Sequence, residues 1–395
     1  MDLRDCTGCM ACREICPKGA ITGREDPEGF CFPECDAGRC VGCGLCERTC
    51  PAQNPVDGHE ILKSDGLLLR LNDKKHLLRS ASGGAFYGIA RFIIEQKHGY
   101  VFGAAYNGKL AVVHIGVDRI DELFKLQNSK YVQSAVGDSY RQVRDLLGQG
   151  RWVFFTGTPC QVAGLKAYLG KDYEHLITAD IICHGVPSPK LLRYEMRSKE
   201  KELGAAIVAC SFRNKGKYTR SNFILKVRTN SGGGYKLYLK NTDLYYSLFL
   251  SGASFRESCY TCWFASSVRM GDFTIGDNDS HKDYPDFHPD ESNSVCLIHT
   301  EKGRMLWEEG IRELFDTHFL DVGREAEANK QLKAPSLRPE LRDRIYREIE
   351  KYGYDEVAGK YCDRPSLKSR LKARLKLLFP SAVLRRWKRI LKVLI

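Results

Sequence analysis

The sequence has no long apolar run. No stretch approaches 18 uncharged apolar residues, which excludes a membrane-spanning helix of the usual length. The chain opens MDLRDCTGC, with charges and a thiol where a secretory leader would carry an apolar segment, so export is not expected and the thiols should stay reduced. Acids are missing from residues 366–395, which hold ten Lys or Arg. Of a net charge of +12, only +2 therefore belongs to the rest of the chain, which argues against nucleic-acid binding by the whole protein. The tail itself offers only Phe379 and Trp387 for stacking on bases, so nucleic acid is not expected there either. What is present is ordinary for a globular protein of 395 residues: 43% hydrophobic and 10% aromatic, enough to build a core without metal staples.

Cysteine is the exception. Seventeen are present, ten of them before residue 51. Clustered thiols in a reducing compartment read as metal ligands. The run CTGCMACREICPKG at residues 6–19 returns as CVGCGLCERTCPAQ at residues 40–53. This C-x-x-C-x-x-C-x-x-x-C-P spacing is that of bacterial two-cluster ferredoxins, where the fourth thiolate of each run reaches the other cluster. Cys6, Cys9 and Cys12 should share a 4Fe–4S cluster with Cys50, and Cys40, Cys43 and Cys46 a second with Cys16. Zinc would instead take four ligands as two separated pairs. Cys31 and Cys35 fit neither run and read as spare thiols in a loop or as small core positions. Such clusters move single electrons. A ferredoxin alone would be complete by about residue 58, so the clusters should feed something downstream.

From residue 80 the pattern changes. A Gly-rich turn, a helix bearing Phe86, Ile89, Ala90, Ile93 and Ile94 at helical spacing, and a strand follow in order through residue 106. VVHIGV is a second strand, and SYRQVRDLLGQG is a helix ending at Gly148 or Gly150. RWVFFTGTPCQVAGLKAYL and LITADIICHGVPSPKLLRYEM each read as strand, turn and helix. Alternation of this kind predicts an α/β body. Ligands in such a body gather at the carboxyl ends of strands, which here carry Gly157, Thr158, Pro159 and Cys160, then Cys183, His184, Gly185 and Pro187. With the C-x-x-C of Cys259 and Cys262, two strand-end thiols make four, the ligand count of a third cluster. The alternative for Cys160 and Cys183 is small buried hydrophobes.

SASGGAFYGIA, NSKYVQS, GTPCQVAGL, CHGVPSP, SCYTCWFA and GDFTIGD, in this order, resemble the coenzyme F-420 hydrogenase/dehydrogenase beta-subunit family over roughly residues 75–325; F-420 is a 5-deazaflavin hydride carrier. The resemblance implies an iron–sulfur flavoprotein that binds FAD, with Cys160, Cys183, Cys259 and Cys262 holding a 4Fe–4S cluster beside the flavin. It places Ser82, Gly83 and Gly84 against the nucleotide and Lys130 and Tyr131 over the isoalloxazine or its phosphates. Gly157, Thr158 and Pro159 would wall the same pocket and Asp277 would close it. A Ser-Gly-Gly turn opening a helix suits a pyrophosphate, though an ordinary helix cap has the same composition. A Lys beside a flavin would stabilise the reduced anionic ring; otherwise Lys130 is a solvated charge. His184 is either a hydrogen-bonded structural histidine or a proton donor.

The expected organisation is a small ferredoxin-like module (residues 1–58), an α/β flavin-binding body in two parts (75–155 and 156–325) and a basic helical tail (335–395), giving an α+β or α/β chain. The expected activity is electron transfer from a soluble donor or redox partner through the clusters to FAD, then hydride transfer to an organic acceptor. The resemblance implies as acceptor a deazaflavin or, from relatives among bacterial polysaccharide-biosynthesis genes, a glycan intermediate. A non-catalytic electron-transfer subunit feeding a partner is the alternative. No Ni–Fe ligand set is seen, so the chain alone should not split hydrogen. In the tail, Leu367, Leu371, Leu375 and Leu378 share one helical face, and Leu384, Trp387, Leu391 and Leu394 another after Pro380, with Lys and Arg opposite. Such helices either lie on an anionic membrane surface or pack on the body. The expected location is cytoplasmic, with the inner membrane face as a peripheral site.

Overall fold

A computed structural model describes residues 3–216, 222–232, 234–288, 291–363, 366–379 and 383. At the N-terminus, α1 (Ala11–Ile15) and α2 (Leu45–Arg48) flank an antiparallel hairpin of β1 (Ile21–Glu25) and β2 (Cys31–Cys35), paired Ile21 with Cys35 through Glu25 with Cys31. The two cysteine runs fold alike. Gly8 and Gly42 both have left-handed φ (70° and 66°), and the third cysteine of each run sits on the short helix. Gly44 precedes α2 at φ 70°, and Met10 takes the equivalent place before α1 at φ 59°. A side chain is disfavoured in that backbone region, so the repeat geometry is imposed on Met10 by its surroundings.

The body is built on one mixed sheet. The elements in order are β3 (His59–Glu60), β4 (Asp65–Leu71), α3 (Lys74–Arg79), α4 (Ala85–Lys97), β5 (Tyr100–Tyr106), β6 (Val112–Val117), α5 (Ser139–Gly148), β7 (Val153–Gly157), α6 (Pro159–Leu169), β8 (Leu176–Ile181) and α7 (Pro189–Leu203). Next come β9 (Ile207–Asn214), β10 (Asn222–Thr229), β11 (Tyr235–Leu239), α8 (Leu244–Leu250), β12 (Val268–Arg269), β13 (Phe273–Asp277), β14 (Ser294–Ile298), α9 (Glu301–Leu306), β15 (Phe315–Phe319) and α10 (Val322–Ala328). The eight-stranded sheet runs β15-β4-β14-β13-β8-β7-β5-β6. Its four central strands, β13, β8, β7 and β5, are parallel, and the flanking pairs are antiparallel. It crosses the expected 155/156 division and takes in β4, from between the expected module and body.

Alternation along β7 assigns the two faces. Phe154 joins Ile177, Phe273 and α4 on one side, while Val153 and Phe155 join α5 and α6 on the other. Both faces are covered, so the central strands are apolar throughout. Each fully buried Leu, Ile, Val or Phe contributes roughly 1.5–3 kcal/mol. Cys9 and Ala11 of the N-terminal module belong to the α5–α6 side of this core.

Beside the main sheet, β9, β10 and β11 form a small antiparallel sheet. It shares a second core with α7, α8 and two C-terminal helices, α11 (Leu341–Tyr352) and α12 (Tyr354–Tyr361), through Ile345, Ile349, Tyr354 and Val357. Residues 341–361 of the expected tail are thus part of the body. The last helix, α13 (Leu367–Leu378), packs Ala373 and Leu377 on Ile224 and Leu239. The tail helix does pack, but not by its leucine face: Leu367, Leu371 and Leu378 are 86%, 57% and 63% exposed. Leu384, Trp387, Leu391 and Leu394 lie outside the described residues. No described helix is long and apolar enough to cross a membrane.

One buried ion pair ties the loop carrying Cys259 and Cys262 to the sheet. Asp180 on β8 accepts from Arg269 Nη2 (2.7 Å), the Met270 amide (2.7 Å) and Thr274 Oγ1 (2.7 Å), and both charged side chains are fully buried. Arg269 in turn donates to the carbonyls of Phe264 and Ile181. Burial alone would raise the Asp180 carboxyl, but Arg269 and Thr274 hold it below the usual carboxylate range. Removing one partner leaves an uncompensated buried charge. Asp180→Ala is expected to lower stability by about 3–5 kcal/mol, read from chemical denaturation under anaerobic conditions; a loss below about 1 kcal/mol would show the pair to be structurally idle.

Candidate iron–sulfur and flavin site

The first cysteine run is seated in the body. Cys6 and Cys9 are buried and Cys12 is half-buried, whereas Cys40 and Cys43 of the second run are exposed. The Cys6 carbonyl accepts from Arg256 Nε (2.6 Å) and Ser258 Oγ (3.0 Å), and Gln133 donates to the Thr7 carbonyl (3.1 Å). Cys9 fits a notch in α6 at Gly164, where a Cβ would stand 3.0 Å from Cys9 Cβ, 3.1 Å from its Sγ and 2.9 Å from the Tyr140 hydroxyl. The periphery is held by two ion pairs, Arg193 with Glu25 (2.5 Å) and Arg342 with Glu28 (3.0 Å), and by Arg13 donating to the Gly137 carbonyl (2.6 Å).

Cys160, on the first turn of α6, lies one turn before that notch. Thr158, preceding it, closes a capping box with Gln161 and places its hydroxyl 3.0 Å from Cys160 Sγ. Cys183 follows β8, and Cys259 and Cys262 follow Arg256 on the facing loop. The four sulfurs are close enough to disfavour one another's ionisation: Cys183 feels Cys259, Cys160 and Cys262, and Cys160 also feels Cys9. Burial is the larger cause, and it pushes Cys9, Cys12, Cys160 and Cys259 up to about 12 and Cys183 well above its ordinary value. Buried thiols of this kind become thiolates when a metal replaces the proton. Cys16 differs. Burial would raise it, but the amides of Ala20, Lys18, Ile21 and Gly19 bring it below the ordinary thiol value, with the Ala20 amide 3.3 Å from Sγ. Such N–H···S contacts are among the protein's means of tuning a cluster.

Among the described residues no three Cys, His, Asp or Glu converge closely enough to hold one metal ion. Zinc needs four donors about 2.3 Å from one centre. A cubane instead needs one thiolate for each of four irons. Cys35 and Cys31 sit at the ends of β2 and not in a loop. Cys35 lines a solvent-open cavity with Cys16, Cys40, Cys43 and Cys46, while Cys31 lies near Cys6 and Arg256.

The residues expected around a flavin are distributed along the carboxyl edge of the parallel strands and the turn before α4. Asp277 ends β13 and pairs with Arg213 (2.5 Å), which also donates to the Tyr131 hydroxyl (3.1 Å). Tyr131 stacks on Phe249 at 4.0 Å. Lys130 donates to the Gln127 carbonyl (2.7 Å), and burial pushes it down to about 7. His184 is exposed, and its carbonyl accepts from Ser336. Gly157 and Thr158 are half-buried and Pro159 is buried.

The glycine pair has a packing reason. A Cβ at Gly83 would collide with the Leu69 carbonyl (1.9 Å) and the Ser294 amide (2.3 Å), and Gly84 caps α4 with φ 91°. Ser82 Oγ pairs with Ser294 Oγ (2.8 Å). Two cations that the sequence does not single out complete the rim. Arg213 is buried, and Lys215 donates to the carbonyls of Leu77 (3.0 Å) and Ser82. Burial, then the Arg213 charge, push Lys215 down to about 7. Asn278 Nδ2, beside Asp277, is buried without a partner among the described residues. A Ser-Gly-Gly turn with Lys215 donating to the Ser82 carbonyl and Arg213 to the Ala81 carbonyl has the donor chemistry of an anion-binding surface.

Residues 150–318 match the family described as the C terminus of the coenzyme F420 hydrogenase/dehydrogenase beta subunit, and residues 5–54 match the 4Fe-4S dicluster domain. A chain of the F420-reducing NiFe hydrogenase complex from Methanosarcina barkeri is similar at 17% identity, over 70% of this chain and 92% of that one, with a TM-score of 0.45. None of the curated proteins matches the sequence.

If the Gly164 notch positions Cys9, Gly164→Ala should cost the first cluster. The expected result is a loss of about four irons per chain, one cubane's worth, by anaerobic iron and sulfide analysis; unchanged iron would mean that Cys9 does not depend on the notch.

Proposed function

We propose that this chain, which joins a 4Fe-4S dicluster domain to the C-terminal region of the coenzyme F420 hydrogenase/dehydrogenase beta-subunit family, is an FAD-dependent oxidoreductase that takes single electrons from a soluble donor and reduces an organic hydride acceptor. FAD, when bound, would supply the conversion from one-electron to hydride chemistry. The observation that carries the reading is the contiguity of the thiols: Cys9 rests in the Gly164 notch of the same helix whose first turn carries Cys160. Cys6, Cys9, Cys12 and Cys50 would hold the inner cluster of the ferredoxin module, and Cys40, Cys43, Cys46 and Cys16 the outer one. Cys160, Cys183, Cys259 and Cys262 would hold a third in the body. The exposure of Cys40 and Cys43 suits the outer site to meeting a donor.

On the flavin side, Lys215 and Arg213 would receive the pyrophosphate near Ser82, Gly83 and Gly84, and Lys130 with Tyr131 would face the ring. Asp277 would hold Arg213 in place, Gly157, Thr158 and Pro159 would separate ring from thiols, and His184 stands at the exposed rim where an acceptor would need a proton. Deazaflavin or a glycan-biosynthesis intermediate is the acceptor class. The alternative is an electron-transfer protein that feeds a partner and has no acceptor of its own. The exposed Leu367, Leu371 and Leu378, on a helix whose charged residues are all Lys and Arg, favour an additional contact with an anionic membrane surface.

Oxygen-free preparations should contain about twelve irons and twelve sulfides, from three cubanes, with one flavin per chain. Iron near eight would remove the body cluster, and no flavin would remove the catalyst reading. Dithionite-reduced protein should reduce a 5-deazaflavin unaided; flavin without transfer unless a partner is added would select the electron-transfer alternative. Lys215 is charged below pH of about 7 and neutral above it, so flavin retention should weaken as pH rises through that value and Lys215→Met should flatten the dependence. Liposome flotation on anionic vesicles should be lost when residues 366–395 are deleted; equal flotation would end the membrane contact.

A further inference from the structure

Most of the large buried cations in this protein have a carboxylate: Arg269 has Asp180, Arg213 has Asp277 and Arg342 has Glu28. Among the described residues Arg256 has none. It is 1% exposed, and its acceptors there are all neutral: the Cys6 carbonyl from Nε (2.6 Å), the Cys31 carbonyl from Nη1 (3.0 Å) and Gln133 Oε1 from Nη1 (3.1 Å). Nη2 has no partner among the described residues. The guanidinium lies over the Phe32 ring at 3.9 Å and near Phe30 at 5.6 Å, contacts that give a cation weak support. An unpaired buried charge is among the costliest features a fold can carry.

Its position suggests the missing counter-charge. The side chain reaches the backbone of Cys6 and the flank of Gly8, where an added Cβ would stand 2.9 Å from Nη1. Its own carbonyl accepts from the Cys259 amide (2.9 Å), and its amide donates to Val186 (3.0 Å), three residues past Cys183. Arg256 therefore stands between the two thiol sets: its guanidinium faces the Cys6–Gly8 turn of the inner ferredoxin site, and its backbone is bonded to the segments that carry Cys183 and Cys259. A four-iron core on four thiolates is a net anion, and one added electron makes it more negative. Net charge and hydrogen bonding around the sulfurs are what set the potential of such a centre.

We propose that Arg256 is a fixed counter-ion shared by the inner ferredoxin cluster and the body cluster, and that it raises the reduction potential of both. This rests on the assignment of clusters to these two thiol sets. In the step concerned a one-electron donor is oxidised and one cluster is reduced.

The test is a potentiometric titration of the anaerobic full-length protein, with each reduced cluster followed by its paramagnetic resonance signal. Arg256→Gln should shift the inner and body signals to more negative potential by about a factor of ten in the reduced-to-oxidised ratio, roughly 59 mV for a one-electron couple. The outer, solvent-facing cluster should shift least. Arg256→Lys keeps the charge and should retain most of the parent potential. Unmoved potentials in Arg256→Gln, or an equal shift in Arg256→Lys, would overturn the counter-ion role. Should Arg256→Gln lose its iron, Gln133→Glu leaves the guanidinium in place and sets a carboxylate beside Nη1. The same negative shift would support the proposal, and unchanged potentials would refute it. A parent protein lacking the signals of these two clusters would instead mark the failure of the cluster assignment itself.

Discussion

The structure depends on how the first cysteine run is held against the body. Its peptide backbone is gripped at Cys6 by Arg256 and Ser258, and its second cysteine is pressed into a helix notch that only a glycine leaves open. Neither contact is an accessory to an independently folded ferredoxin. Cys9 and Ala11 belong to the same core cluster as Val153, Phe155 and the apolar face of α6. Close-packed interiors feel even one methylene, so the geometry of the inner thiols and that of the sheet are fixed together. The same loop that grips Cys6 continues into Cys259 and Cys262, and Arg269 anchors its far end to Asp180 in the sheet.

That arrangement produces a difference in burial. Cys40 and Cys43 of the outer set face solvent, whereas Cys6 and Cys9 of the inner set are buried and the four body thiols are half-buried. Exposure is needed where electrons are exchanged with another molecule. Enclosure is needed where the low dielectric lets fixed charges such as Arg256 act on the sites beside them. Beyond the body thiols, the parallel strands bring Gly157, Cys183 and Asp277 to one edge, where an α/β sheet ordinarily receives its ligand. Arg213 and Lys215, carried there by the end of β9, turn that edge toward anions.

Much of this was legible in the sequence because it is periodic. Two copies of one cysteine spacing, and strands alternating with helices between residues 85 and 203, are patterns that backbone geometry imposes on any chain of that fold. What was not legible arises from contacts between distant segments. Arg256 in SFRESC and Lys215 in RNKGK are not singled out by the sequence, since nothing nearby in the chain shows that β2 and the Ser82 turn lie against them. Gly164 carries no sequence signal of its own; its role appears only where Cys9 is placed against it. Gly83 and Gly84 suggest a phosphate loop, yet their smallness is used by Leu69, Ser294 and Leu71. The leucine row of α13 was visible as a row, but which stripe of the helix packs was decided by Ala373 and Leu377 meeting Ile224 and Leu239.

The central claim is that iron–sulfur sites and a flavin form one electron-accepting system within this chain. The most direct measurement is an anaerobic reductive titration of the purified protein, followed optically. Three one-electron clusters and a two-electron flavin predict uptake of roughly five electron equivalents per chain, with flavin bleaching within the same titration. Uptake of about two equivalents with no flavin transition would contradict the account.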